Sequence, residues 1–291
     1  MDSFFDIYLL EAVVNGLLLG GLLALLSLGL NLIFGVIDVV WICYAELIMI
    51  GMYTIWWLHV PQGASLWIAF PVAVLLVAAM GMALHYFIIR PVLSAEPINQ
   101  LLVTGGVLFF LQALATVIFG IDFRNLGVRL PGFSVGEMHF SSARLLAFAV
   151  ALAAIAATWW FLRRTFTGVA IRAISQDRAI MPLMGVNPGR VYLVTSAIGG
   201  ALAGLAACLL VLQYDVHPAI GLSFGPLTFL ICVMGGLGNL IGGFVAAFVF
   251  AQFISVGGFM FQLEWGYVIA FVFFIGMMFW RPQGIFARSA R

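Results

Sequence analysis

The apolar stretch PLTFLICVMGGLGNLIGGFVAAFVFAQFISV, residues 226–256, decides the fold class and the number of membrane crossings. A membrane helix needs about 20 apolar residues to cross the hydrocarbon core, and this stretch is longer. The glycine-rich run GGLGNLIGG, residues 235–243, interrupts it near its middle. Broken helices are tolerated at membrane depth where they line a protein cavity. We therefore predict that this segment crosses the membrane twice or is re-entrant, with a break at the glycines.

The rest of the chain is as apolar as this stretch. Of its 291 residues, 65% are hydrophobic and only 8% are charged. A soluble domain has about a quarter of its residues charged, so lipid must be the main solvent of this protein. The net charge of +1 gives no reason to expect a nucleic-acid partner. The acidic N-terminus, MDSFFDIYLLE, lacks the basic region of a secretory signal, so we expect the first apolar run to remain as a membrane helix.

Eight apolar windows are long enough to be membrane helices. They are residues 7–30, 39–58, 66–89, 100–121, 143–162, 191–213, 226–256 and 265–280. Their length and the lack of period-two alternation favour helices over the strands of a barrel. The sequence thus predicts an all-α, polytopic membrane protein with about eight to nine transmembrane segments. Residues 1–291 form one transmembrane domain.

The positions of the arginines predict the orientation, because cytoplasmic loops of membrane proteins are enriched in basic residues. Nine arginines fall in segments that we expect to be cytoplasmic: Arg90, Arg163, Arg164, Arg172, Arg178, Arg190, Arg281, Arg288 and Arg291. The other three, Arg124, Arg129 and Arg144, are offset by Asp122 and Glu137 in a segment that can lie outside. Eight single crossings would put the segment 163–190 and the C-terminal tail on opposite sides. A ninth crossing, at the broken window, removes this conflict.

The segment RRTFTGVAIRAISQDRAIMPLMGVNPGR, residues 163–190, mixes charged residues with apolar ones such as Ile171, Leu183 and Met184. We expect one or two short helices with a charged and an apolar face, limited in length by Pro182. A loop that only links two helices does not need such apolar residues. We therefore predict that it docks into a groove of a cytoplasmic partner. The alternative is an amphipathic segment that lies on the lipid surface.

Two acidic residues, Asp38 and Glu46, bracket the run VVWICYA. A carboxylate inside the membrane is costly and for that reason often functional. Trp41 and Tyr44 are three residues apart and share a helix face. Asp38, Trp41, Tyr44 and Glu46 are therefore candidates for a substrate path. The other interpretation gives Glu46 a neighbouring helix as its partner and places the aromatic rings in an interfacial belt.

No catalytic or metal-binding constellation stands out. The run GLSFG, residues 221–225, has the spacing of a nucleophile elbow but lacks its strand–turn–helix context and chain order. The chain has no lysine, so it has no P-loop for ATP, and its four histidines are scattered. We expect no enzyme activity and no cofactor or metal in this chain. The amides Asn15, Asn31, Gln112 and Gln252 are expected to bridge helices.

Several stretches together resemble the integral permeases of branched-chain amino acid ABC importers, nearer to the H-type than to the M-type subunit. They are NGLLLGGLLALLSLGLNLIFGVIDVV (15–40), RPVL (90–93), LLVTGGVLFFLQ (101–112), GVAIRAISQDRAIMPLMGVNPGRVY (168–192), GGALAGLAACLL (199–210), VMGGLGNLIGG (233–243) and RPQGIF (281–286). Each motif alone is weak, but their common order over nearly the whole chain is specific.

The resemblance implies one permease subunit of an importer in the bacterial inner membrane. It implies a related, different second permease, two cytoplasmic ATPases that bind ATP and Mg²⁺, and a periplasmic substrate-binding protein. Segment 163–190 matches the family's cytoplasmic coupling loop. The residues expected to transmit motion to the ATPase are Arg172, Asp177, Arg178, Ala179, Met184 and Gly185.

The chain departs from the family where the second helix begins. The family usually has Asn-Phe-Ala-His-Gly-Glu there, whereas this chain has WICYAE, residues 41–46, and keeps only the glutamate. If these positions line the cavity, the larger aromatic groups favour substrates other than leucine, isoleucine and valine, such as aromatic acids, other amino acids or short amides like urea. The resemblance and this departure together leave a branched-chain or other amino acid, or a related small organic acid, as the expected substrate. A stand-alone channel or ion-coupled carrier is the alternative. It would have to rely on Asp38, Glu46 and Glu264 for intramembrane charge.

Overall fold

The computed structural model describes residues 2–128, 131–135, 138–178 and 180–286. The helices of this part of the chain are α1 (Asp2–Ile37), α2 (Tyr44–His59), α3 (Leu66–Leu84), α4 (Arg90–Val92), α5 (Pro97–Phe119), α6 (Ser142–Arg164), α7 (Phe166–Ile174), α8 (Pro188–Leu210), α9 (Ile220–Gly235), α10 (Leu240–Met260) and α11 (Leu263–Trp280). A π-helical turn, His85–Ile89, joins α3 to α4, and a 3₁₀ turn, Met181–Met184, follows α7. The only strands of the described part, β1 (Phe133–Val135) and β2 (Met138–Phe140), form an antiparallel hairpin.

Six helical segments are long and apolar enough to cross a membrane. They are Tyr8–Ile37, Leu66–Val92, Pro97–Phe119, Ser142–Arg164, Pro188–Leu210 and Leu240–Met260. Two shorter apolar helices, α9 and α11, and the largely buried α2 bring the membrane segments of the described chain to nine. The prediction of an all-α polytopic membrane protein is confirmed.

The predicted break in window 226–256 lies between α9 and α10. Gly236 and Gly238 have φ angles of 96° and 80°, a left-handed conformation that a side chain disfavours. Asn239 caps α10, because its side-chain oxygen accepts a hydrogen bond from the Gly242 backbone N–H. The window therefore consists of two helices joined by a tight glycine turn, and not of one long helix.

Glycines let the helices approach one another closely. A Cβ atom added at Gly200 of α8 would lie 2.6 Å from the carbonyl oxygen of Val77 in α3. One added at Gly20 of α1 would lie 2.7 Å from a ring atom of Phe248 in α10. The glycines at both positions, which belong to GxxxG pairs, thus pack helices of the same chain together.

With nine membrane segments, the connections alternate between two ends of the molecule. Among the described residues, the arginine-rich end comprises 38–43, 93–96, 165–178, 180–187, 236–239 and 281–286. The acidic end comprises the start of α1 and the described residues 60–65, 120–128, 131–135, 138–141, 211–219 and 261–262. Contacts between connections agree with this grouping. At the acidic end Asn125 donates a hydrogen bond to Asp215, and at the arginine-rich end the Ile285 backbone N–H donates one to the Met234 carbonyl.

This arrangement resolves the arginine pattern of the sequence. Residues 163–190 and the described part of the tail lie at the same end, as the positive-inside rule requires. The acidic end holds only Arg124 and Arg144 among the arginines that the structure describes. The ninth crossing at the glycine turn is what makes these positions consistent.

Candidate functional site

The chain between α1 and α2 is irregular but buried. Asp38 has a φ angle of 63°, and it is the only residue other than glycine with a positive φ in the described chain. Its left-handed conformation ends α1 and turns the chain back towards the interior. Val39, Trp41 and Cys43, which follow, are almost completely buried. Irregular backbone of this kind is tolerated at membrane depth only where protein surrounds it.

Tyr44, the first residue of α2, lies near the middle of the membrane. Its hydroxyl donates a hydrogen bond of 3.4 Å to the carbonyl oxygen of Gly199 in α8. Gly199 is about 17 Å along α8 from Pro188, at about 1.5 Å per residue. The hydrocarbon core is about 30 Å thick, so this depth is close to its centre. Helix α2 therefore starts inside the membrane and runs from there to the acidic end.

Glu46 is fully buried in the first turn of α2. Within the described part of the chain, neither of its carboxylate oxygens has a hydrogen-bond partner. The carboxylate packs against Gly221 of α9, where any Cβ atom would overlap it. Burying a carboxyl group without a partner costs several kcal/mol if it is charged, on the order of the transfer costs of polar groups. The chain tolerates this group without satisfying it, which is typical of a functional position.

Trp41 lies in the same buried region, and its indole Nε1 also lacks a hydrogen-bond partner. Trp41 and Tyr44 are therefore packed inside the protein and do not form an interfacial belt. Three of the four predicted path residues, Trp41, Tyr44 and Glu46, thus come together where α2 meets α8 and α9. We call these three residues the α2 cluster. Each of its three residues is at most 2% exposed.

Asp38 is separate from the α2 cluster. It lies exposed at the arginine-rich end, and its Oδ2 atom is 3.6 Å from Nη2 of Arg178. Both side chains are largely solvent-exposed, so the pair contributes at most about 1 kcal/mol to stability. Its significance is positional, because it joins the irregular segment before α2 to the predicted coupling loop.

The predicted coupling loop is anchored on one side. In α7, Ile171 and Ile174 are buried, and Gly168 lies so close to Phe161 and Leu162 of α6 that a Cβ atom would overlap their backbone. The Nε atom of Arg172 donates a hydrogen bond of 2.9 Å to the carbonyl oxygen of Leu162. The side of α7 that carries Ile171 and Ile174 therefore packs against its own chain, whereas Phe166 and Val169 are exposed.

The tip of this loop has apolar side chains exposed. Leu183 is 84% exposed, Met184 is 73% exposed and Ile180 is 52% exposed. Gly185 follows the 3₁₀ turn with a φ angle of 77°, a left-handed conformation that favours glycine. We call Ile180, Leu183 and Met184 the loop tip.

The remaining coupling residues have different positions. Asp177 accepts a hydrogen bond from the backbone N–H of Ile180 and so shapes the approach to the loop tip. Arg178 pairs with Asp38, as described above. Ala179, also predicted to take part in coupling, lies outside the described residues.

A cavity of about 530 Å³ at the acidic end was not predicted as a site. It lies between α1, α6, α10 and α11, and residues of the α8–α9 connection complete its wall. In the sequence, Asn15 is predicted to bridge helices, and Arg144 belongs to a segment that can lie outside. The spacing of Glu11 and Asn15, one turn apart on α1, was the available signal of a shared polar face.

Comparisons with known proteins give a consistent result. A family model described as "Branched-chain amino acid transport system / permease component" matches residues 12–278. The chain is 28% identical over 295 residues to the high-affinity branched-chain amino acid transport system permease protein BraD of Pseudomonas aeruginosa, covering 96% of each chain. It is 27% identical over 307 residues to LivH of Escherichia coli K12, which has the same description, covering 97% of this chain and 96% of LivH.

A more distant relative and a solved structure extend this result. LivM of Escherichia coli K12, also a high-affinity branched-chain amino acid transport system permease protein, is 24% identical over 298 residues, which cover 90% of this chain and 67% of LivM. The solved structure of PsaBC from Streptococcus pneumoniae in complex with Fab has a similar fold. The TM-score is 0.55 at 14% identity, and the match covers 98% of both chains.

Proposed function

The chain belongs to the family of branched-chain amino acid transport permeases, and from this premise we propose that it is one permease subunit of an ABC importer. Its solute is a branched-chain or other amino acid, or a related small organic acid. The chain has no lysine and so no P-loop, and ATP with Mg²⁺ binds to separate ATPase subunits. The protein itself contributes a path that alternates between two states.

The observation that carries this proposal is the loop tip. Apolar side chains that protrude from a charged surface mark a site of protein contact. Ile171 and Ile174 of α7 are buried within the chain and cannot contact lipid, and this favours docking over the lipid-surface interpretation of the loop. The loop tip remains exposed beyond the membrane helices, and a groove on a cytoplasmic ATPase is the partner that would cover it.

The other partners follow from the family and from the charge distribution. LivH and LivM of one bacterium are both permease proteins and are both similar to this chain, which supports a heterodimer with a second, related permease. The arginine-rich end faces the cytoplasm of a bacterium, and the protein resides in the inner membrane. The acidic end then faces the periplasm, where a substrate-binding protein delivers the solute.

The contacts suggest how the ATPase acts on the path. Motion of the loop reaches the segment 38–43 through the Asp38–Arg178 pair. This segment leads directly into α2, whose first turn holds Glu46 against α9. A shift of α2 relative to α9 would expose the carboxylate of Glu46 to a solute. The closed α2 cluster corresponds to the state in which the path is blocked.

The experiment is co-purification of the ATPase with variants of the loop tip. Leu183→Asp together with Met184→Asp is expected to reduce the amount of co-purified ATPase at least about tenfold, since burying an unpaired charge costs more than the roughly 1.4 kcal/mol that a tenfold loss requires. Ile121→Asp is the matched control, because Ile121 is 76% exposed at the opposite end. Full ATPase recovery with the loop-tip variant would contradict the proposal.

A second candidate function is a stand-alone ion-coupled carrier. The observation in its favour is the unpaired carboxyl group of Glu46 inside the membrane. Asp38 and Glu264 are exposed at the two ends, so Glu46 is the one candidate left of the three. Purified chain in liposomes separates the two functions: solute uptake by the lone chain without ATP would support the carrier.

A further inference from the structure

The cavity at the acidic end has polar groups around its mouth. Side chains of Glu11 and Asn15 from α1, Arg144 from α6, and Gln213 and Tyr214 from the α8–α9 connection all line it. Five side chains from three parts of the chain thus converge on one space of about 530 Å³. Ligand pockets commonly measure about 300–1,000 Å³ and have a few converging polar groups, so the size and the lining fit a small-molecule site.

Two of these groups carry opposite charges but do not pair with each other. The one salt bridge among the residues that the structure describes is that of Arg178 with Asp38, at the opposite end. Nη1 of Arg144 instead donates a hydrogen bond of 3.1 Å to Oδ1 of Asn15, which fixes the guanidinium beside the cavity. Glu11 lies one helical turn before Asn15 on the same face of α1. The cavity therefore presents a cation and an anion, each with bonding capacity left for a ligand.

The phenol of Tyr214 adds a neutral donor to this set. Burial raises the pKa of Tyr214 above its ordinary value, so the hydroxyl keeps its proton at neutral pH. Its ring packs edge-on against Phe224 of α9 at a centroid distance of 5.3 Å. This ring contact holds the phenol of Tyr214 on the side of the cavity next to α9.

The floor of the same cavity is apolar. Leu18, Leu22, Ala147 and Ile254 line it, and each is less than one-tenth exposed. An apolar floor below a polar mouth would take up a hydrocarbon side chain, at roughly 25 cal/mol per Å² of apolar surface removed from water. The polar mouth thus suits the charged groups of a ligand, and the apolar floor suits a hydrocarbon side chain of the same molecule.

We propose that this cavity is an outer binding site for an α-amino acid with an apolar side chain. The guanidinium of Arg144 binds the α-carboxylate, the carboxylate of Glu11 binds the α-ammonium group, and the apolar floor holds the side chain. The inference deepens the proposed function and rests on it. It assigns the first contact of the solute to the acidic end, before the path through the α2 cluster opens.

The test measures ligand binding to the purified full-length chain by its thermal stability, since a ligand that binds the folded state raises the melting temperature. The probes are L-leucine, L-leucinamide, which lacks the carboxylate, and 4-methylpentanoate, which lacks the ammonium group. For the unmodified chain, leucine is expected to bind about ten- to a hundredfold more tightly than either analogue. This factor corresponds to one hydrogen bond with a charged group.

Variants of the two charged residues test whether Arg144 binds the α-carboxylate and Glu11 binds the α-ammonium group. Arg144→Gln is expected to bind leucine and leucinamide equally, while Arg144→Lys keeps the preference for leucine. Glu11→Gln is expected to remove the preference for leucine over 4-methylpentanoate only. Glu264→Gln is the matched control, because Glu264 is exposed at the same end and does not line the cavity.

The possible results distinguish a failure of the proposed binding site from a failure of the proposed permease function. If the unmodified chain binds leucine and Arg144→Gln and Glu11→Gln keep both preferences, the site is overturned while the permease function stands. If none of the twenty common amino acids stabilises the unmodified chain, the site is also overturned. The loop-tip experiment decides the ABC-importer function independently, because it does not depend on any solute.

Discussion

At the scale of single residues, Glu46 is the feature that packing alone does not explain. A buried carboxyl group normally has hydrogen-bond partners, and this one has none. Across the α2–α9 contact the carboxylate lies against Gly221, where an added Cβ atom would overlap it.

Glu46→Gln is expected to change solute uptake without disrupting the protein. Glutamine has almost the same shape, so the contact with Gly221 is retained and only the charge and the acceptor pattern change. We expect the rate of uptake to fall at least about tenfold, as for the loss of one hydrogen bond to a charged group. Initial-rate uptake and ATPase co-purification are measured on the same preparation, with the exposed Glu96→Gln as a control. Unchanged kinetics for all solutes tested would remove Glu46 from the path.

At the scale of helices, small residues set the distances between neighbours. The α3–α8 contact depends on Gly81, Gly200 and Gly204, each of which lies against the backbone of the other helix. Membrane helices gain little from the hydrophobic effect when they associate, so close backbone packing supplies much of the attraction. By contrast, Gly105 and Gly106 of α5 have no heavy atom within 4 Å of the position of a Cβ atom.

Gly200→Ala and Gly106→Ala therefore form a matched pair. The first is expected to destabilise the protein by about 1–3 kcal/mol, the usual cost of overpacking. The second removes a helix glycine without a clash, which is neutral or stabilising by up to about 1 kcal/mol. Thermal unfolding in detergent measures both. Equal melting temperatures for the two variants would mean that α3 and α8 do not pack as closely as described.

At the scale of the whole molecule, charge and function divide between the two ends. The arginine-rich end holds the loop tip and the Asp38–Arg178 pair, and the acidic end holds the cavity of Glu11 and Arg144. The α2 cluster lies between them at mid-depth. In the proposed importer, the solute and the ATPase would therefore meet the protein at opposite ends.

Thiol labelling tests this orientation directly. The native Cys43, Cys208 and Cys232 are buried, so an impermeant maleimide is expected to leave the unmodified chain unlabelled. Asp122→Cys, at the acidic end, should be labelled in cells whose outer membrane alone has been permeabilised. Ser175→Cys, on the coupling loop, should be labelled only after the inner membrane is opened as well. Labelling of Ser175→Cys from outside would invert the topology and contradict the contact with an ATPase.

Much of the fold could be predicted because lipid imposes strong, local rules on a sequence. The lengths of the apolar windows predicted the membrane helices, and the glycine run 235–243 predicted the break in window 226–256. The positions of the arginines predicted which connections lie at each end of the molecule. Each of these signals depends on neighbouring residues only, so no tertiary information was needed. The resemblance to the permease family, which the family match confirms, also rests on short motifs in a common order.

The site depended on contacts between distant residues, and these only the tertiary structure decided. Asp38 and Glu46 are eight residues apart and look equivalent in the sequence, yet a left-handed turn at Asp38 leaves the first at the surface and buries the second. The cavity joins Glu11 to Arg144 and Tyr214 across the fold, and no local pattern connects positions so far apart. The sequence by itself determined which segments enter the membrane, because transfer into lipid is a property of each segment. Which side chains face one another was decided by helix packing, because that depends on every neighbour at once.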